Sequence, residues 1–280
     1  MKITKKIISV FAAAALAVTV PTQTFAVTSS QTSSSKRTLT ITDEAGFAEF
    51  AKACRIDSYS EGLYVTLGSD ITLSGEFTPI SIFGGTFDGN GHTISGVNIT
   101  ANGSYSGLFR YISRGGIVKN LTVKGSISPA GSAENIGGIA GSSAGSITAC
   151  SFEGTVKGET NVGGIVGVNE NSGLVANSSV FGAISGSHSV GGIAGTNSGT
   201  ILNSKSRMSV NTTATEAKLS IKDIDWDSLM SSEEPSSMTD VGGIAGYSDG
   251  IVRNCENFGT VGYPHIGYNI GGIIGRQCGY

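Results

Sequence analysis

Residues 190 to 204 read VGGIAGTNSGTILNS, and the same wording returns along the chain. It appears as NIGGIAGSSAGSITAC from Asn135, NVGGIVGVNENSGLVANS from Asn161 and DVGGIAGYSDGIVRNC from Asp240. The glycine pairs fall at 137/138, 163/164, 191/192, 242/243 and 271/272, with steps of 26, 28, 51 and 29 residues. The step of 51 holds an insertion at about 211 to 239, and removing it largely restores the period.

Aligning the units produces columns of like residues. One column is Ile139, Ile165, Ile193, Ile244 and Ile273; a second is Val118, Ile147, Val175, Ile201 and Val252; a third is Ile127, Val156, Ile184, Val210 and Val261. An apolar run of about five residues cannot bury itself, but runs stacked in register make a continuous core. Three strands and three bends per coil of about 27 residues predict an all-β, right-handed parallel β-helix.

Two features fit that geometry. Val190 and Ile193 both face inward only if the chain bends at Gly191-Gly192, and glycine bends without a Cβ penalty. Gly138, Gly164, Gly192, Gly243 and Gly272 therefore read as structural. Asn120, Asn177, Asn203 and Asn254 form a column broken only by Ala149. Asn tolerates the left-handed conformation at a corner, and stacked amides can bond from coil to coil.

Outward from the repeats, the N-terminus carries Lys2, Lys5 and Lys6, an apolar run from Ile7 to Val20, and a Thr24-Phe25-Ala26 ending. This predicts a secretory signal over 1–26, too short in its apolar run to span a bilayer, with no membrane span in the mature chain. Residues 27–38 are a Ser/Thr-rich linker. In 39–60, Thr42-Asp43-Glu44 leads into Phe47, Phe50, Ala51 and Cys54 at helical spacing, which predicts a helix capping the first coil. Residues 61–280 then form the β-helix. The last unit stops at Tyr280 midway through a coil, so the expectation is a chain that continues further.

Charge narrows the partners. The chain carries 18 Lys+Arg against 21 Asp+Glu, a net charge of -3, which becomes about -6 once the three signal lysines are removed. An acidic chain without basic patches argues against nucleic acid. Cys150 and Cys255 occupy one slot three repeats apart, about 14 Å at about 4.8 Å per coil, so that pair cannot form a disulfide. Buried free thiols are expected.

The units resemble the GLUG-motif repeat of bacterial exported and surface proteins, which also occurs in metallopeptidases that cleave immunoglobulin A. The resemblance rests on the GGIAG, Gly-x-Ile/Val-x-Asn-Cys/Ser and Gly-x-Val-x-Gly elements from about Gly107 to Tyr280. It implies a pectin-lyase-like solenoid and a place outside the cell, and no single activity. The peptidases' His-Glu-x-x-His is absent, since His92, His188 and His265 stand alone.

No stretch offers a catalytic constellation, and no cofactor is expected. Asp88 and His92 in FDGNGHTI suggest an acid and a base, yet Asp-Gly-Asn-Gly is ordinary turn chemistry. The outward columns Lys124, Glu153, Phe181, Arg207, Phe258 and Lys119, Thr148, Ala176, Leu202, Arg253 contain no paired acids. Within the insertion, Asp223, Asp225, Asp227 and Glu234 match positions 1, 3, 5 and 12 of a calcium loop, but Ser228 replaces the glycine required at position 6. Trp226, the single tryptophan, is the candidate partner contact, and a short helix with Ile221, Ile224 and Leu229 inward is the structural alternative. The expected function is a non-enzymatic secreted or cell-surface scaffold for adhesion or display, with an extracellular protein or glycan as partner. The alternatives are a carbohydrate-binding or carbohydrate-active β-helix and the accessory region of a longer secreted peptidase.

Overall fold

The computed structural model describes residues 37–212, 239–262 and 268–278. These form an all-β parallel solenoid of about seven turns with one short helix. Every strand pairing among the described residues is parallel. The signal segment, most of the linker, and the insertion residues Trp226, Asp223, Asp225, Asp227 and Glu234 lie outside the described residues.

One coil shows the plan. Ser146–Thr148 belongs to an eight-stranded sheet, here sheet I, and Ser151–Lys157 to a seven-stranded sheet II. Thr160–Gly163 lies in a five-stranded sheet III and Val166–Asn169 in a seven-stranded sheet IV, after which Leu174–Ala176 re-enters sheet I. The coil thus has four strands where three were expected. The extra corner falls at the glycine pair, which divides the Val-Gly-Gly-Ile run between sheets III and IV and lets Val190 and Ile193 both point inward, each fully buried.

The expected columns stack in register. Val118, Ile147, Val175, Ile201 and Val252 are successive partners in sheet I, and Phe87, Val65 and Leu39 extend that column backwards. Ile127, Val156, Ile184 and Val210 do the same in sheet II. The Ile139 column bonds through its backbone, each N–H from Ile139 to Ile244 donating to the isoleucine carbonyl one coil on at 2.8 to 2.9 Å. Each fully buried Val or Ile contributes roughly 1.5–3 kcal/mol of transfer free energy.

Before the regular coils, helix Glu44–Ala53 starts at Asp43, whose carboxylate accepts from the Gly46 N–H at 2.7 Å. Its Phe47 and Phe50 are buried against Phe77, Phe83 and Phe87. A strand precedes it: Arg37–Ile41 pairs in parallel with Leu63–Leu67. Arg37 and Thr38, expected as the end of the linker, therefore belong to sheet I. The Ser and Thr residues around them show no alternation long enough to reveal a strand. All four cysteines are free, and burial pushes the Cys54 and Cys150 thiols up to about 12.

Candidate functional site

At the N-terminal end the Asp88 turn is occupied by its own neighbours. The Asp88 carboxylate accepts from the Asn90 N–H at 2.9 Å, Tyr64 Oη at 2.9 Å and Asn120 Nδ2 at 3.0 Å, and pairs with Lys119 Nζ at 3.1 Å. Burial pushes this carboxyl up, but the bonds from Asn120, the Asn90 backbone, Tyr64 and Lys119 outweigh it and bring the group down to about 2. A carboxylate with that many donors is a fixed anion. His92 does not face it: His92 Nδ1 lies 3.1 Å from Asp70. The acid–base pair suggested by the sequence is thus not assembled, and the turn reading of this stretch fits.

The asparagine column is where it was expected. Asn120, Ala149, Asn177, Asn203 and Asn254 all have φ between 48° and 54°. Asn203 Nδ2 donates to Asn177 Oδ1, and Asn254 Nδ2 to Asn203 Oδ1, each at 3.3 Å. A second left-handed column, Asn135, Asn161, Ser189, Asp240 and Asn269, is not apparent from the sequence because Ser and Asp interrupt it. A third ladder is buried. Asn169 Nδ2 donates to Asn197 Oδ1 at 2.7 Å, and Asn197 Nδ2 to Ser248 Oγ at 3.0 Å.

The glycine pairs stand at the expected bend, and the coil stacking gives a further reason for glycine there. None of Gly138, Gly164, Gly192, Gly243 or Gly272 has a positive φ. A Cβ on Gly164 would lie 2.2 Å from the Gly192 carbonyl oxygen, and one on Gly192 would lie 2.2 Å from that of Gly243. The next coil's backbone fills the space a side chain needs, so close approach selects glycine here. Gly272 has nothing within 4 Å of that position.

The outer face of sheet II is the candidate functional surface. Strands Thr122–Ile127, Ser151–Lys157, Ser179–Ser185 and Lys205–Val210 place Lys124, Glu153, Phe181 and Arg207 side by side, and Phe258 follows in the next coil. Phe181 is 62 % exposed and Phe258 60 %. Between them the Arg207 guanidinium sits 5.1 Å from the centroid of the Phe258 ring. The face's carboxylates are engaged: Glu153 with Lys124 at 2.7 Å and Glu256 with Lys205 at 2.8 Å. These two acids stand three coils apart, about 14 Å at about 4.8 Å per coil. A glycosidase pair needs about 5 to 9.5 Å. Beside the ladder runs a shallow groove of about 190 Å³, bounded by Ser126, Thr155, Lys157, Ala183, Ser185 and Ser209. Repeat alignment places this column correctly, but a search for paired acids passes over its exposed rings. Two phenylalanines at outward positions are the signal that marks it.

Among the described residues, no cluster of three or more His, Cys, Asp or Glu side chains comes together to hold a metal, and no helix is long and apolar enough to cross a membrane.

Comparison with known proteins adds a family signature and one partial relative. Over 98 residues the chain is 42 % identical to halomucin of Haloquadratum walsbyi, a match that takes in 35 % of this chain and 1 % of halomucin. No solved structure gives a significant match. The family model for the GLUG motif matches residues 132–157, which hold the first regular Val/Ile-Gly-Gly-Ile unit and the two strands after it. Residues 132–157 are a GLUG motif, set in a solenoid whose neighbouring coils repeat its columns.

Proposed function

We propose that this chain is a non-enzymatic repeat scaffold of a secreted or cell-surface protein, which displays its outward strand faces to a partner. The observation that carries the reading is the parallel pairing that runs coil to coil, from Leu39 to Val252 in sheet I and from Ile80 to Ile274 in sheet IV. Such a body is stiff and can be lengthened coil by coil, because each repeat contacts only its neighbours. The match to 1 % of a far longer relative agrees with a module used within long proteins.

Within this reading the winding is right-handed and pectin-lyase-like, the hand that parallel crossovers favour. Helix Glu44–Ala53 is the N-terminal cap, placing Phe47 and Phe50 over the first coils and shielding them from edge pairing. The test is to express the full chain with a C-terminal epitope and treat intact cells with protease. Loss of the epitope from the cell surface, or its recovery in the medium, is the expected outcome. An epitope that stays protected and cytosolic would refute export and with it the display role.

A further inference from the structure

We propose that the outer face of sheet II is a binding platform for an acidic polysaccharide, with Phe181 and Phe258 stacking on sugar rings and Arg207 taking the acid group. The inference rests on the display reading and names what is displayed to. Three observations meet on this face.

First, the two exposed rings lie in one column, two coils apart, about 9.6 Å at about 4.8 Å per coil. An extended polysaccharide running along the solenoid axis advances by a comparable step over two sugars, so two sugars separated by one residue meet the two phenyl groups. The backbone is fixed at both positions, Phe181 within strand Ser179–Ser185 and Phe258 by its N–H donating to the Ser206 carbonyl at 2.8 Å, so less freedom is lost when a ligand docks.

Second, the charge at this place is of the opposite sign to that of the molecule. The chain carries -3 overall. On this face Lys124 and Lys205 are neutralised by Glu153 and Glu256, whereas Arg207 and the exposed Lys157 form no ion pair or side-chain hydrogen bond with any described residue. The exposed Arg207 guanidinium lies over the Phe258 ring, where its planar N–H groups are suited to bidentate bonds with a carboxylate or sulfate. Lys157 lies at the groove beside them and supplies a second positive point.

Third, hydroxyls rim the groove around an apolar floor of Val156, Ala183 and Ile184. Ser126, Thr155, Ser185 and Ser209 border it, and the Thr155 and Ser126 hydroxyls already bond one another at 3.0 Å. Hydroxyls alternating with small apolar patches beside isolated aromatic rings match the mixed hydroxyl and C–H faces of a sugar. Carboxylated and sulfated polysaccharides share the recognised chemistry.

The experiment is affinity electrophoresis of the full chain in gels containing polygalacturonate, dextran sulfate or neutral dextran. Retardation by an acidic polymer and not by dextran, weakening as salt rises, is the expected result. Retardation by polygalacturonate alone assigns the acid as carboxylate, and by dextran sulfate alone as sulfate. Arg207→Ala and Phe181→Ala should each weaken retardation at least tenfold, Lys157→Ala less, while Ile251→Ala on sheet I should leave it unchanged. All four side chains are exposed, so unchanged thermal melting will certify the folded variants. Absence of retardation, equal retardation by neutral dextran, or full binding by Arg207→Ala and Phe181→Ala would overturn the proposal. Sedimentation without polymer gives a further route to refutation: association abolished by Phe181→Ala would make this face an interface between copies of the chain. Because the assay uses purified protein, its failure leaves the export test above untouched, and failure of export leaves binding measurable.

Discussion

The first coils and the regular coils fill the same cross-section by different means. In one inward column of sheet IV the residues run Phe83, Ile112, Ser143, Asn169, Asn197 and Ser248, each in register with the next. Phe83 and Asn197 are both fully buried. The neighbouring column runs Ile80, Phe109, Ala140, Val166, Ala194 and Ala245. The N-terminal end is thus packed by rings, with Phe83, Phe87 and Phe109 meeting at 5.2 to 6.2 Å between centroids. The later coils keep the Val and Ile columns and add small residues, glycine backbones and a buried amide ladder where the first coils have rings. Aromatic packing suits an end that receives a helix once, whereas amides and glycines give each coil identical partners above and below.

The largest expected effect tests the aromatic end. Phe87 and Ile201 occupy one column of sheet I, and both are fully buried. Phe87 touches Phe47, Phe50, Phe83 and Phe109. Phe87→Ala should cost about 3–5 kcal/mol, at the upper end of large-to-small core substitutions. Ile201→Ala belongs to the range of about 2–5 kcal/mol and should fall below it in the same denaturant titration. If Ile201→Ala proves the costlier, the rings are not the stronger packing and the contrast between the two regions fails.

Next comes the glycine seam of the regular coils. Gly164→Ala puts a Cβ 2.2 Å from the Gly192 carbonyl oxygen, a backbone atom fixed by its own sheet. Overpacking of this kind costs about 1–3 kcal/mol. Gly272→Ala meets nothing within 4 Å and should be nearly silent. Equal melting temperatures for the two variants would show that close approach does not select glycine.

Much of this contrast is legible in the sequence, and the rest is hidden for identifiable reasons. The Ile139, Val118 and Ile127 columns can be read because β-branched residues recurring at one period align only when coils stack. The Asn120 column can be read because asparagine combines left-handed tolerance with an amide that stacks. The buried ladder cannot. Asn169 sits in VGVNENSG and Asn197 in AGTNSG, where Asn beside Ser and Gly signals an exposed turn. Only the register with coils above and below turns those side chains inward. The fourth strand is hidden likewise, since five residues around a glycine pair look like one interrupted run. For the candidate site, the column of Phe181, Arg207 and Phe258 is visible, but its exposure depends on what the neighbouring coils leave uncovered.

A smaller effect probes the left-handed corner. Ala149 takes φ 52° in a column otherwise made of asparagine. A left-handed alanine costs roughly 1–2 kcal/mol relative to the right-handed form, and asparagine relieves part of that by local hydrogen bonding. Ala149→Asn should raise stability by about 1 kcal/mol, read as a higher denaturation midpoint. It also places an amide between Asn120 and Asn177, joining the two halves of the ladder. A lower midpoint would mean that this corner is specified by packing and not by backbone conformation.

The smallest expected effect lies where the two regions meet, at Ser143. The ladder runs in one direction, with each amide nitrogen donating to the oxygen one coil further on. Its first acceptor, Asn169 Oδ1, is buried and has no hydrogen-bond partner among the described residues, and neither has the buried Ser143 Oγ one coil earlier. The serine is too short to bridge to the amide, so the change from apolar to amide packing leaves an acceptor and a hydroxyl unmatched. A buried unsatisfied polar group costs about 1–3 kcal/mol. Ser143→Asn puts an amide nitrogen one coil before Asn169 Oδ1, in the direction the ladder already follows, while adding volume to a tight column. The gain and the added crowding oppose each other, so a net stabilisation of about 0.5 kcal/mol is expected. Ser143→Leu adds similar bulk without a donor and should destabilise. A stabilised Asn variant beside a destabilised Leu variant would identify hydrogen bonding as what the junction lacks. The reverse order would show that the ladder ends at Asn169 because the aromatic coils leave no room for another amide.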